Sequence, residues 1–341
     1  MNRSRNNMQQ RDTLRPMPRI IHTGQALVDA TAMIPALPRR GQNVMAVDWN
    51  QHAGGAVNIL AAAARSGADC VHAGAIGTGP NGDIIRAALD AEGVVWSAPA
   101  VPDADTALCV VLVEPSAERT FVTTLGAERR ITVDSLAASG PAAGDLVCVT
   151  GYSLAVESTR APLLAWLDTL PDGVEVVLDP GASFAALPPE HRAMMLRHTT
   201  VWTSNQEEAD DLLAAHGIPS ADHPGTDMAD AADALAGLLP GIVIVVRDGP
   251  HGCAVAVDGV TTDVPGFPQE PVDTNGAGDA HTGVLLAERA RGTDWVESCR
   301  RANVAGAIAV TRRGPAAAPT ASEIDAFLAG LPAGGGGDQG R

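Results

Sequence analysis

Short apolar runs separated by longer amphipathic stretches recur along this chain. Arg19–Gly24, Cys70–Ala75, Asp145–Thr150, Val174–Leu178, Thr199–Thr203 and Ile242–Arg247 are each five or six residues long and hold two or more apolar residues. Such runs are expected of strands buried on both faces. The stretches between and after them predict helices. One opens near Gly54 and runs to about Ser66; others cover Gly82–Glu92, Thr159–Leu170, Gln206–His216 and Asp227–Leu238. Three more close the chain, over Gly278–Arg291, Trp295–Thr311 and Ala321–Leu331. Strands that alternate with helices predict a three-layer α/β/α fold around a mostly parallel sheet.

Some segments break the alternation. Val44–Trp49 reads as a strand, Thr106–Glu114 and Arg119–Thr124 as a hairpin, and Cys253–Val264 as a second hairpin. Residues of about 30–53 and 105–125 are strand-like without helices between them, which predicts a small β lid over a crevice. Residues 1–18, polar and rich in Arg, read as a disordered tail, and 332–341, rich in Gly, as a flexible one. That leaves 19–331 for the folded part.

Composition narrows the chemistry. Aromatic residues make up only 3%, so the core must be built from Ala, Val and Leu. A formal net charge of −17 opposes nucleic acid or an anionic membrane as partner, and no apolar run is long enough for a membrane span. All 23 basic residues are Arg. Without lysine there is no P-loop lysine and no Schiff base; phosphates must be met by Arg, helix N-termini or metal ions. Cys70, Cys109, Cys148, Cys253 and Cys299 are scattered, as buried thiols of a cytoplasmic protein would be. The histidines show no metal-ligand spacing and read as packing or surface residues.

The strongest chemical signal is Asp273-Thr274-Asn275-Gly276-Ala277-Gly278-Asp279 at the start of a predicted helix. Small residues let the free N–H groups of Gly276, Ala277 and Gly278 crowd round an anion, and the helix dipole adds positive charge there. Asp279 would stand beside that anion as a base; otherwise it merely caps the helix. Gly54-Gly55-x-x-Asn58 is a second helix start where backbone approaches closely. Gly77-x-Gly79-x-x-Gly82 has a dinucleotide-binding spacing, but Pro80 stiffens it, it is not the first βα unit, and no acid follows at the expected distance. Asn205 and Glu208 share one helix face and also fit a capping box.

The Asp-Thr-x-Gly-Ala-Gly-Asp stretch resembles the C-terminal signature of the ribokinase-like (PfkB) carbohydrate kinases, and Gly54-Gly55-x-x-Asn58 resembles their N-terminal one. The resemblance extends over about Arg19–Leu331 and departs at His281, where the family usually has an aromatic residue. It implies an ATP-dependent kinase in which Asp279 is the base and Gly276–Gly278 the anion hole. Asp29, just past the first strand, would bind the sugar together with Gly54, Gly55 and Asn58. Asn205 and Glu208 would serve phosphate and Mg²⁺, Glu208 through water. Arg247, Gly249 and Gly252 fall in the nucleotide-contacting turn, with Arg247 where Thr or Ser is usual, and Asn303 on the helix against adenine. Asp273 and Asn275, with Ala309, Arg312 and Gly314, would supply oxygens to a monovalent cation such as K⁺. His52 and Arg119 are further candidates for substrate contact. The lid would close on the sugar and support a homodimer. A nucleoside acceptor, a ligand sensor without catalysis, and a nicotinamide dehydrogenase are the alternatives.

Overall fold

The computed structural model describes residues 17–116, 118–218, 227–314 and 316–331; the two expected tails lie outside these, apart from Met17 and Pro18. The chain begins with β1 (Ile20–His22), β2 (Ala26–Met33), β3 (Asp48–Gly55), α1 (Ala56–Arg65), β4 (Cys70–His72), α2 (Pro80–Ala91) and β5 (Val95–Trp96). Next come β6 (Leu108–Val113), β7 (Arg119–Thr123), α3 (Val133–Ala137), β8 (Leu146–Thr150), α4 (Glu157–Leu167), β9 (Glu175–Asp179) and α5 (Pro189–Leu196). The remainder is β10 (Val201–Asn205), α6 (Gln206–Ala215), α7 (Met228–Leu238), β11 (Val243–Arg247), β12 (Gly252–Val257), β13 (Val260–Pro265), α8 (Ala277–Ala290), α9 (Trp295–Ala309) and α10 (Ala321–Ala329).

Nine strands form the main sheet in the order β13-β12-β11-β10-β9-β8-β1-β4-β5, parallel from β5 to β11 and antiparallel in the final hairpin. Adjacent residues on its strands enter opposite cores. Ile21, Val147, Val149 and Leu178 pack with Leu163, Leu212 and Leu235 of α4, α6 and α7. Ile20, Leu146, Cys148 and Val177 pack with Leu60 and Leu286 of α1 and α8. This two-sided burial is why neighbouring residues on these strands, such as Ile20 and Ile21, are both apolar.

β1 is flanked by β4 and β8, so the chain leaves it first toward one sheet edge and later toward the other. A crevice opens where strand order reverses, at the carboxyl ends of the strands. A second sheet of four strands, in the order β3-β2-β6-β7, comes from the two segments that broke the helix alternation. Its leading strand, β2, was not foreseen. Asp29 therefore lies inside β2, paired in register with His52 and Cys109, and not at the end of β1. The expected strand at Val44–Trp49 is displaced to Asp48–Gly55, because pairing with all eight residues of β2 sets its register.

Two histidines are core residues, as expected. His22 and His72 face one another in register on β1 and β4, and both are fully buried. Burial, and then the other imidazole, push His22 down to about 3; burial takes His72 down to about 4. Both stay neutral at physiological pH. Among the described residues no helix is long and apolar enough to cross a membrane.

Candidate active site

The site is built on a helix end that no side chain caps. Gly276 adopts a left-handed φ of 77°, which turns the chain sharply into α8, and no side chain takes the first N–H groups of that helix. Ala277, Gly278 and Asp279 are its first three residues; the Ala277 N–H reaches the Thr274 carbonyl at a long 3.4 Å, and no side chain takes the others, so backbone amides and a carboxylate share one turn. The geometry brings together what the sequence placed there: a helix start without a side-chain cap and an acid in its first turn.

Close packing of α1 on α8 aims that acid. At Gly283 a Cβ atom would stand 2.4 Å from the Ile59 carbonyl oxygen and 2.6 Å from the Ala62 Cβ. The absent side chain lets the two helices approach, and Asn58 on α1 donates from Nδ2 to Asp279 Oδ2 at 2.9 Å. Asn58 is buried, and its Oδ1 has no hydrogen-bond partner among the described residues. A buried acceptor left unpaired is costly, and a hydroxyl from a ligand would satisfy it.

Asp29 and the Gly pair meet beside it. A Cβ on Gly54 would fall 2.2 Å from Asp29 Oδ2, so this glycine is the space that the carboxylate occupies. Gly55, with φ of 63°, ends β3, and its own Cβ would strike the Gln25 carbonyl oxygen at 2.4 Å. Asp29 is pushed up to about 6 by burial and by the Asp279 charge. Burial likewise pushes Asp279 up to about 6 and Asp179 adds to it, while Asn58 and Arg247 pull the other way. Two carboxylates poised near neutrality in one crevice are the usual mark of a working site.

On the other side of Asp279 lies a cavity of about 670 Å³, lined among others by Asn205, Glu208, Arg247, His281 and Asn303. Gly249, Gly252, Ala277 and Gly278 also border it. Asn205 and Glu208 form the capping box of α6: Asn205 Oδ1 accepts the Glu208 N–H at 2.8 Å, and Glu208 Oε2 that of Asn205 at 3.0 Å. The structural role is thus real, and both side chains border the cavity as well. Burial and Asp179 raise the Glu208 carboxyl above its ordinary range. Arg247 donates to the Gly278 carbonyl at 3.0 Å and to Thr282 Oγ1 at 2.9 Å, and pairs with Asp179 at 3.6 Å. Asn303 spends its amide on the Val264 and Pro265 carbonyls, and its Oδ1 lies 3.2 Å from His281 Nε2. His281 is buried, with its imidazole against Asn303.

Two expected segments meet elsewhere on the loop before α8. The Gly314 N–H donates to Asp273 Oδ2 at 3.1 Å, and the Asn275 N–H to Asp273 Oδ1 at 2.9 Å. Arg312 turns away, toward Glu323 and the Ala317 carbonyl. No group of three or more potential metal ligands clusters among the described residues. A Mg²⁺ here would rest mainly on nucleotide phosphates and water, as that ion commonly does. Most amides of the Gly77–Gly82 turn are spent within the protein: Thr106 Oγ1 accepts that of Gly77 at 2.9 Å, the Ala104 carbonyl that of Thr78 at 2.9 Å, and Asp105 those of Asn81 and Gly82 at 3.1 and 2.9 Å.

Asp179, at the end of β9, was missed. It borders the cavity, accepts from Thr282 at 3.2 Å and faces Arg247. Its signal was an acid closing an apolar parallel strand, Val176-Val177-Leu178-Asp179, where such folds place functional groups.

A family model of pfkB family carbohydrate kinases matches residues 17–321. The chain belongs to that family. Within it, the chain is 30% identical to the "Uncharacterized sugar kinase YegV" of Escherichia coli K12 over 306 residues, 89% of this chain and 92% of that one. It is 26% identical to the "ATP-dependent ribose-1-phosphate kinase" of Halopiger xanaduensis, over 92% and 98% of the two chains. A ribokinase of Cryptococcus neoformans solved in complex with ADP superposes with a TM-score of 0.75 at 24% identity, over 91% of this chain and all of that one. This pfkB family kinase therefore has the ribokinase-like fold and is a phosphotransferase with a hydroxyl group as acceptor.

Proposed function

We propose that this pfkB family member is an ATP-dependent sugar kinase that transfers the γ-phosphoryl group to a hydroxyl of a small, uncharged sugar. One observation carries the reading: Asp279 sits on an uncapped helix start and is aimed by Asn58, 221 positions away in the chain, while Asn58 keeps a buried oxygen unpaired. Asp279 accepts the proton of the attacking hydroxyl. The amides of Gly276, Ala277 and Gly278 stabilise charge on the transferring group, so positioning and electrostatics carry most of the catalysis. ATP occupies the cavity beside Asn205, Arg247, Gly249, Gly252 and Asn303, and Mg²⁺ neutralises its phosphates near Glu208. The acceptor lies between Asp29, Asn58 and Asp279. Carboxylates on either side of it favour a neutral polyol over a sugar acid or sugar phosphate. Trp49, Phe121 and Val122, exposed on the four-stranded sheet, support pairing of two copies through that lid.

An ATP–Mg²⁺ assay against ribose, fructose, ketodeoxygluconate, ribose 1-phosphate, adenosine and inosine tests the reading. Turnover with a neutral sugar is expected. A clear preference for a nucleoside or a phosphorylated sugar, or stabilisation by NAD and not by MgATP, would replace it. Gly54→Ala is expected to raise KM for that sugar by about tenfold or more, by displacing the Asp29 carboxylate, with KM for MgATP unchanged. Equal effects on both substrates would remove Asp29 from the acceptor site.

A further inference from the structure

Arg119 stands on β7, in the small sheet, yet its guanidinium crosses to the loop before α8 and donates to Asp273 Oδ1 at 2.5 Å. Asp273 thereby takes three N–H donors: Oδ1 also accepts from the Asn275 backbone, and Oδ2 from that of Gly314. The neighbouring carbonyls are engaged too. Val310 accepts the N–H groups of Val272 and Asp273 at 2.7 and 3.1 Å, and Ala309 that of Arg312 at 3.0 Å. A monovalent cation needs several oxygens turned inward and free. Here the segments at Asp273–Asn275 and Ala309–Gly314 do converge, but a fixed positive charge sits on the Asp273 carboxylate, and five N–H groups are spent on Asp273, Val310 and Ala309. A carboxylate already paired with a guanidinium does not fit K⁺ as a second cation on the same group.

We propose that Arg119 takes the place of the monovalent cation. It orders the loop that leads into Gly276–Gly278, so that this kinase works independently of K⁺. A guanidinium stays charged at any physiological pH and presents a planar fork to a carboxylate. The pair is only about one-quarter exposed on the Arg side and one-fifth on the Asp side, with side-chain values of 25% and 21%, so water screens it incompletely. Because the arginine comes from the lid and the aspartate from the anion-hole loop, the pair also ties lid position to nucleotide binding. The functional consequence rests on the kinase reading above; the salt bridge itself does not.

The test uses the full chain in chlorides of K⁺, Na⁺, Cs⁺ and tetramethylammonium at fixed ionic strength. Tm is measured without nucleotide, and MgADP affinity by titration calorimetry. For the unsubstituted protein both are expected to be the same in every salt. Arg119→Met is expected to weaken MgADP by about tenfold in tetramethylammonium, and Arg119→Lys, which keeps the charge, by less. A Tm or MgADP affinity of the unsubstituted protein that rises in K⁺ alone would overturn the proposal, as would Arg119→Met binding MgADP normally in tetramethylammonium. If MgADP binds in no salt, the kinase reading fails, and the Tm series still decides the cation question.

Discussion

Asp279→Asn is expected to lower turnover by about 10²–10⁴-fold, the usual range for losing a positioned base, while MgADP affinity changes little. The amide cannot take the hydroxyl proton, but it retains an oxygen to accept from Asn58 at the place where Asp279 Oδ2 now lies. The pH profile separates this role from a merely structural one. Burial and Asp179 push Asp279 up to about 6, so turnover should fall as pH drops through that value, following loss of the carboxylate form. The variant's residual rate should be flat there. Stability should move the other way. A carboxyl whose folded pKa lies above its unfolded value destabilises the native state at pH above about 6 and is relieved as pH falls toward 4. Removing it should stabilise the protein by about 1–2 kcal/mol at pH 8, allowing for water that reaches a half-buried carboxylate, and by less at pH 5. Urea unfolding at both pH values and initial rates measure these effects. A variant that turns over normally, or loses activity and nucleotide binding together, would remove Asp279 from the role of base.

Much of this site was legible because its residues lie in two short contiguous motifs. Gly276–Asp279 form one helix start, and Gly54–Asn58 another, so local spacing alone set their geometry. Asp29 was named but placed wrongly. The strand that carries it, Ala-Leu-Val-Asp-Ala-Thr-Ala-Met, does alternate between buried and half-buried residues, but alanine and aspartate are weak strand formers and mask the period. Its strand character comes from pairing with β3 and β6, which are distant in the chain. The same limit hid the partner of Arg119, whereas Asp179 was passed over although it closes a strand that the sequence did show. Arg247, which borders the cavity, is also tied to Thr282, Gly278 and Asp179. A sequence shows that an arginine is present; which carboxylate it meets depends on crossovers that only the fold closes.

The distance between the two motifs depends on one atom that is missing. Glycine in the middle of a helix ordinarily costs about 0.5–1 kcal/mol relative to alanine, so Gly283→Ala on a free surface would stabilise α8. At Gly283 the sign should reverse. A Cβ there would stand 2.4 Å from the Ile59 carbonyl oxygen, 2.6 Å from the Ala62 Cβ and 3.0 Å from the Ala63 nitrogen. Two of these three atoms are backbone, so no rotamer change relieves the clash, and α1 must move away from α8. Overpacking of this kind costs about 1–3 kcal/mol. Valine should cost more than alanine, because its extra methyl groups enter the same gap. The larger effect should be catalytic. Asn58 and Asp279 lie on opposite sides of this contact, and parting the helices lengthens their 2.9 Å hydrogen bond and shifts the base relative to the acceptor. Misplacement of about 1 Å can cost roughly 10²-fold in rate, so Gly283→Val should lose about that much turnover while still folded. Rates taken well below the unfolding midpoint, beside urea curves for both variants, separate the two effects. Normal turnover in a destabilised Gly283→Val would mean that Asp279 is positioned by something other than the helix contact.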